Sequence, residues 1–197
     1  MAIDGTMGIV IATFGSSEWL EKAEEAAASV ESQTLLPDNW IHCHDSSLAK
    51  ARNLGAKLVG TDWLIFLDAD DTLDNRYVEE MKVADGGTLL QPSTLGVYED
   101  GSTDEYPVVI SKKPILESNY LVIGTMCRSE TFFKVGGFDD SLPALEDWDL
   151  WIRMLRKGEE DVPVPNAVYR VGVSSTGRNN AVGAHSTAYT MIKRKYS

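Results

Sequence analysis

The sequence predicts a single-domain α/β protein with a Rossmann-like mixed sheet flanked by helices. Three observations predict it. Short apolar runs alternate with helix-forming stretches through the first third of the chain, the pattern of strands joined by helical crossovers. The second half turns to apolar runs separated by turn residues, the pattern of an antiparallel or mixed extension. A length of 197 residues suits one domain with a full core, with no internal repeat and no linker in sight.

The elements follow in order. Gly8 to Phe14 reads as a first buried strand, and Gly15-Ser16-Ser17 as a turn with a helix cap. Glu18 to Gln33, rich in alanine and glutamate, has high helix propensity, and Pro37-Asp38-Asn39 breaks it. Trp40 to His44 is a second short strand, Leu48 to Val59 a helix, and Trp63 to Leu67 a third strand. Thr88 to Leu90, Thr94 to Tyr98 and Tyr106 to Ile110 read as further strands, the last two separated by a turn at Glu99 to Asp104. Gly124 to Cys127 is another strand, and Glu130 to Val135 a short helix ended by Gly136-Gly137. Glu146 to Lys157 is a strong helix stopped by Gly158, and Val168 to Val171 a last strand. Ser174 to Gly183 reads as a polar, mobile loop before a terminal helix from about His185.

Charge and cysteine usage narrow the function classes. The formal net charge is −12, which repels a nucleic-acid backbone and excludes a general nucleic-acid binder. Cys43 and Cys127 have no disulfide or zinc spacing, so a reduced, cytoplasmic location is expected. Met1 to Met7 lacks signal-peptide character, and no apolar run reaches the length of a membrane span. Lys193-Arg194-Lys195 reads as a solvated helix end.

The chemistry concentrates at the end of the third strand. Asp68, Asp70 and Asp71 place three carboxylates within four positions, where α/β sheets hold their ligands. Such crowding costs free energy unless a cation offsets it, and a hard divalent ion bound through oxygen is the natural one. A plain helix-capping turn, with Asp71 capping Thr72 to Asn75, is the structural alternative. In the Glu146 helix, Trp148, Trp151, Ile152 and Leu155 form the buried stripe, and Asp149 pairs with Arg153 on its flank. Asp147 sits in the first turn, where the helix dipole favours its ionised form. His42-Cys43-His44-Asp45 has metal-ligand residue types, but on a strand Cys43 points away from both histidines. Asp100 to Asp104 reads as a hairpin turn.

Four segments carry a family resemblance in their order and spacing. They are Ala12-Thr13-Phe14, Ala51-Arg52-Asn53-Leu54-Gly55, Leu67-Asp68-Ala69-Asp70-Asp71, and Gly136-Gly137-Phe138-Asp139 followed by Glu146-Asp147-Trp148-Asp149-Leu150-Trp151. Together they resemble the family 2 glycosyltransferases of the GT-A fold, in a compact version. The resemblance implies a nucleotide-binding half over about 7–91 and an acceptor and catalytic half over about 92–197. It implies a metal-dependent inverting transfer of a sugar from a nucleotide diphosphate, with a UDP-sugar as expected donor and a glycan, protein or lipid-linked acceptor. Mn2+ or Mg2+ is the implied ion.

The resemblance also implies roles. Asp147 would be the base that takes the acceptor's proton. Asp70 would ligate the metal directly, with Asp68 at the ribose or in the metal's water shell. His185 would be a third metal ligand, or else a helix cap. Thr13, Phe14 and Asp45 would line the nucleotide site, Arg52 would stand near the donor phosphates or the aspartates, and Arg178 would close over the diphosphate. Only six residues separate Asp45 from Arg52, where the family usually has a further helix and strand, so the base pocket is trimmed.

Two other readings fit parts of the pattern. Asp68-Ala69-Asp70-Asp71-Thr72 also resembles the first motif of haloacid-dehalogenase-like phosphatases, with Asp68 as nucleophile and Asp70 as general acid. A non-catalytic sugar- or nucleotide-binding module is the other alternative.

Overall fold

A computed structural model gives the fold and describes residues 3–108, 114–174 and 182–197. In chain order the elements are β1 (Met7–Phe14), α1 (Glu18–Glu31), β2 (Asn39–Asp45), α2 (Leu48–Val59), β3 (Trp63–Asp68), β4 (Thr72–Leu73) and α3 (Tyr77–Val83). Then come β5 (Leu89–Tyr98), β6 (Thr103–Tyr106), β7 (Met126–Arg128), α4 (Ser129–Lys134), α5 (Glu146–Leu155), β8 (Asp161–Val173) and α6 (Val182–Tyr196).

The strands form one mixed sheet in the order β2-β1-β3-β7-β5-β8-β4, with β6 paired to β5. β1 runs parallel to β2 and β3, as helical crossovers require. β7 reverses against both β3 and β5. β5 and β8 are parallel, while β4 and β6 are antiparallel additions. Strands covered on both faces read as continuous apolar runs, and Ile9 to Ile11 and Leu64 to Leu67 are wholly buried.

The second half departs from the sequence reading at its prolines. Thr88 to Leu90 and Thr94 to Tyr98 are parts of one strand, β5, which keeps Pro92 by shifting register between Pro92 and Ser93. Opposite that shift, residues 165–167 loop out between Val164 and Val168 of β8. Ser93 Oγ holds the excursion, donating to the Pro165 carbonyl at 2.9 Å and accepting from Val108 N–H at 3.0 Å. β8 begins at Asp161, well before the expected Val168, because Pro163 and Pro165 disguise its first half. The strand expected over Tyr106 to Ile110 is Thr103–Tyr106, and residues 109–113 lie outside the described residues. The turn between β5 and β6 forms as expected, with Asp100 Oδ1 accepting from Ser102 N–H at 2.9 Å. Residues 72–73 form β4, so Asp71 caps no helix there. The short helix α3 buries Tyr77, Val78 and Met81.

Helices α5 and α6 share a small core of Leu142, Trp148, Ile152 and Ile192. Beside it lies Asp149, fully buried. Its carboxylate accepts from Arg153 Nε at 2.8 Å, as the i, i+4 spacing predicts, and from Lys195 Nζ at 2.8 Å and Tyr196 O–H at 2.7 Å. The basic end of α6 is therefore not merely solvated: a buried carboxylate requires donors, and Lys195 supplies one while also binding Asp139 at 2.9 Å.

Candidate active site

Three sequence-distant segments interlock beside the end of β3. α2 contributes Arg52, only 2% exposed. Its Nη2 makes a short hydrogen bond to Asp68 Oδ1, and its Nη1 donates to Glu146 Oε1 at 2.9 Å. Burial alone lowers a guanidinium's pKa, but Asp68 and Glu146 outweigh it, so Arg52 stays charged. The guanidinium also lies 5.1 Å from the Phe138 ring centroid, and Phe138 meets Phe66 edge-on at 4.8 Å.

Asn53 locks the loop carrying Phe138. Its Nδ2 donates to the Phe138 carbonyl and its Oδ1 accepts from Phe138 N–H, both at 2.9 Å. Gly137 permits this fit: it has φ +70°, and a Cβ there would stand 2.4 Å from Asn53 Oδ1.

The loop then enters α5 through Leu145, whose φ of 57° is left-handed. That conformation costs about 1–2 kcal/mol for a residue with a Cβ, and it delivers Glu146 and Asp147 side by side. Asp147 Oδ2 accepts from Asn119 Nδ2 at 3.1 Å. Burial raises the Asp147 pKa and the neighbouring Glu146 raises it further, against opposing effects from Arg52, the Trp148 N–H and Asn119. The expectation that the helix dipole would favour the ionised form is thus corrected: desolvation outweighs it.

The aspartates at the end of β3 separate into distinct environments. Asp71 is buried and accepts from Tyr169 O–H and Gly172 N–H, each at 2.8 Å. Burial, together with Asp68 and Asp70 nearby, holds its carboxyl well above the usual range. Asp68 N–H in turn donates to the Tyr169 hydroxyl at 3.1 Å, so β8 fixes the whole turn. Gly172 is required by proximity, because a Cβ would fall 2.1 Å from the Asp70 carbonyl oxygen. Asp70 borders an open cavity of about 250 Å³ with Gly172, Val173 and, from α1, Lys22 and Glu25.

The donor set suits one kind of ion. Among the described residues no three His, Cys, Asp or Glu side chains gather around a point, so His185, half-buried on α6, does not complete a three-ligand set with Asp68 and Asp70. The Asp70 carboxylate at the open cavity, with Asp68 two positions before it, suits Mg2+ or Mn2+, which take one or two carboxylates and complete their shell with phosphate and water. The two aspartates do not make a closed protein cage.

At the adjoining strand ends, Phe14 pairs in register with Asp45, and Ala12 with Asp68. Thr13, Phe14 and Asp45 thus lie along the same edge of the sheet as the aspartates. Asp45 Oδ1 accepts from Ser46 N–H at 2.6 Å and Ser46 Oγ at 3.0 Å, which holds its carboxyl below the usual range. Thr13 Oγ1 lies 2.8 Å from His42 Nε2 and 3.0 Å from His44 Nδ1, while Cys43 packs on the other face with Ala12 and Ala51. Arg178 lies outside the described residues. Sequence reading passed over four members of the site: Glu146 as the partner of Arg52, and Asn53, Asn119 and Tyr169. Arg52 among Ala49, Ala51, Gly55 and Ala56 is the one signal, since an arginine on a small, buried helix face requires a buried acid.

Comparison with known proteins finds similarity in sequence and in fold. The model of the family described as glycosyl transferase family 2 matches residues 21–82. An uncharacterized glycosyltransferase of Haemophilus influenzae is 31% identical over 122 residues, which cover 55% of this chain and 41% of that protein. The pre-mycofactocin glycosyltransferase of Mycobacterium tuberculosis is 28% identical over 136 residues, covering 59% and 28%. The chain therefore spans less than half the length of these two relatives. In fold it is similar to S. aureus TarS, with TM-score 0.65 and 13% identity over 95% of this chain and 39% of that one. Residues 1–349 of TarS, solved in complex with UDP, give TM-score 0.60 and 14% identity over 86% and 61%. GalNAc-T7, solved with UDP, GalNAc and Mn2+, gives TM-score 0.65 and 14% identity over 96% and 48%.

In fold the chain is similar to GT-A glycosyltransferases, with a mixed sheet flanked by helices. Arg52, Asp68 and Asp70 lie inside residues 21–82, the segment that matches the glycosyl transferase family 2 model.

Proposed function

We propose that the protein is a metal-dependent inverting glycosyltransferase that moves a sugar from a nucleotide diphosphate, most simply a UDP-sugar, to a hydroxyl acceptor. The observation that carries the reading is the Arg52 bridge. One buried guanidinium ties Asp68, at the donor end of β3, to Glu146, the neighbour of Asp147. It ties Asp68 to the helix turn that carries Asp147, and fixed positioning of that kind is what an in-line displacement needs. The family 2 match and the UDP and Mn2+ in solved neighbours support the donor and the ion.

In this reading Asp70, with Asp68 beside it, would hold Mn2+ or Mg2+. When bound, the ion supplies positive charge against the diphosphate leaving group. The acceptor oxygen forms a bond to the anomeric carbon as the bond from that carbon to the diphosphate oxygen breaks, its electron pair leaving with the diphosphate. The acceptor's proton passes to Asp147, whose raised pKa matches a base that must accept it. Arg52 is a positioning residue, because both its Nη groups are spent on carboxylates. Thr13, Phe14 and Asp45 serve the nucleotide, residues 7–91 forming the donor half and 92–197 the acceptor half. Two buried free cysteines support a reducing, cytoplasmic setting, and no described helix is long and apolar enough to cross a membrane.

The test is thermal stabilisation by UDP with and without MnCl2, followed by UDP-sugar turnover. UDP should raise Tm only with the metal present. Asp70→Asn should abolish that increment, and Asp147→Asn should keep it while removing transfer. A metal-independent or absent response to UDP would overturn the reading. Metal-dependent binding without turnover of any UDP-sugar would favour the non-catalytic module, and release of phosphate from phosphomonoesters the phosphatase.

A further inference from the structure

A second cavity, of about 490 Å³, lies along β5 and β8 and is bordered by residues 119–122. Its position joins the two halves of the site. Tyr98 and Val173 line both this cavity and the one beside Asp70. Asn119 lines it too, and Asn119 holds the Asp147 carboxylate. A molecule seated here would abut the donor cavity across one wall and the base across one side chain.

The lining decides what kind of molecule. Half of it is proline, valine and leucine, with three tyrosine rings beside them. Three of the polar groups along it are already engaged with the protein. Gln91 Nε2 donates to the Tyr120 carbonyl at 2.7 Å, Tyr98 O–H donates to Asp104 Oδ2 at 2.8 Å, and the Tyr120 hydroxyl faces Asp161. A free saccharide buried here would lose water from many hydroxyls and find few replacements, at a cost for each. An apolar body loses nothing by entering. Asn119 Oδ1 is the exception: it is buried and has no hydrogen-bond partner among the described residues. A small turn of the Asn119 side chain would uncover that oxygen and offer a single hydroxyl at this end an acceptor next to Asp147.

We infer that this cavity is the acceptor subsite and that the acceptor is a hydroxyl carried on an aliphatic or aromatic body. The inference rests on the glycosyltransferase reading for the word acceptor, and on the cavity for the chemistry. Asn119 is a positioning residue that presents Asp147 to that hydroxyl.

Isothermal titration with octyl β-D-glucoside and methyl β-D-glucoside, both below micellar concentration, tests it. The two probes share a polar head and differ only in alkyl length. Octyl glucoside should bind at least ~10-fold more tightly, since each buried methylene contributes about 0.8 kcal/mol. Val108→Asp, a charge placed in the half-buried cavity wall, should erase the difference, and Val108→Ile should keep it. Equal affinity for the two glucosides would overturn the inference, and so would an octyl preference that Val108→Asp leaves intact. UDP with MnCl2 is titrated separately on each variant. Failure of the glycosyltransferase reading appears there and not in the alkyl comparison, and retained UDP binding shows that Val108→Asp is folded.

Discussion

Arg52 Nη1 and Glu146 Oε1 meet at 2.9 Å in the interior, although 94 positions separate them in sequence. With Asp68 on the other side, the guanidinium faces two carboxylates from different segments. Removing it takes a cationic partner from both. Arg52→Ala should lower unfolding free energy by about 3–5 kcal/mol, the range for breaking a buried ion pair. Arg52→Lys should recover only part of this, because an ammonium lacks the planar fork that reaches two partners. Urea unfolding measures both, and a loss under about 1 kcal/mol for the alanine variant would contradict the bridge's role.

Gly172→Ala should act through backbone contact. The added Cβ falls 2.1 Å from the Asp70 carbonyl oxygen, and the Gly172 N–H is a donor to Asp71. Stability should drop by about 1–3 kcal/mol, as for overpacking, and the metal-dependent UDP response should weaken with it. The equivalent change at Gly183, which lies in α6 and meets nothing within 4 Å, is the control: it should leave the UDP response unaltered and cost no stability, since alanine is the better helix former.

The Asp147 carboxyl sets a pH limb. A base must be ionised, so transfer should fall as pH drops through its raised pKa, above the ordinary carboxylate range. Asn119→Ala removes a hydrogen bond that favours the ionised form, so the limb should move to still higher pH. Stability has the opposite sign. A carboxyl with a folded pKa above its unfolded value of about 3.9 contributes fully below that value, and the contribution is lost as pH rises through the folded pKa. Asp147→Asn should therefore gain stability relative to the parent as pH rises. A pH–rate profile that Asn119→Ala leaves unmoved would refute the assignment.

Asp139 behaves the other way. The Ser141 hydroxyl, more than Lys195, holds its pKa at about 2 despite partial burial. Its stabilising contribution is present above about 3.9 and is lost as pH falls through about 2. NMR titration should place the carboxyl higher in Ser141→Ala than in Lys195→Ala. The reverse order would mean that the α6 lysine, and not the turn, governs this aspartate.

Much of this architecture was legible because it is locally encoded. β1, β2 and β3 with α1 and α2 follow from apolar runs and helix propensity, and the structure moves their ends by only a few residues. Strands that contain proline were not legible. Pro92, Pro163 and Pro165 signal breaks, whereas the β5–β8 pair absorbs them in one register shift. The pairing of Asp149 with Arg153 could be read from helical spacing, but its Lys195 and Tyr196 partners could not, because they depend on how α6 docks. At the site, residue types pointed to Asp68, Asp70 and Asp147. Their differing electrostatics arise from burial and from Tyr169, Asn119 and Gly172, which only the tertiary fold brings near.

Thr13 has one hydroxyl proton and two imidazoles to satisfy, at His42 Nε2 and His44 Nδ1. The oxygen can accept from both rings, giving its own proton to the Cys43 carbonyl 3.5 Å away, or it can accept from one ring and donate to the other. It cannot serve two bare lone pairs at once. The tautomers of the two histidines are therefore interdependent. A change at exposed His44 reaches half-buried His42 by relocation of a single proton, with neither strand moving.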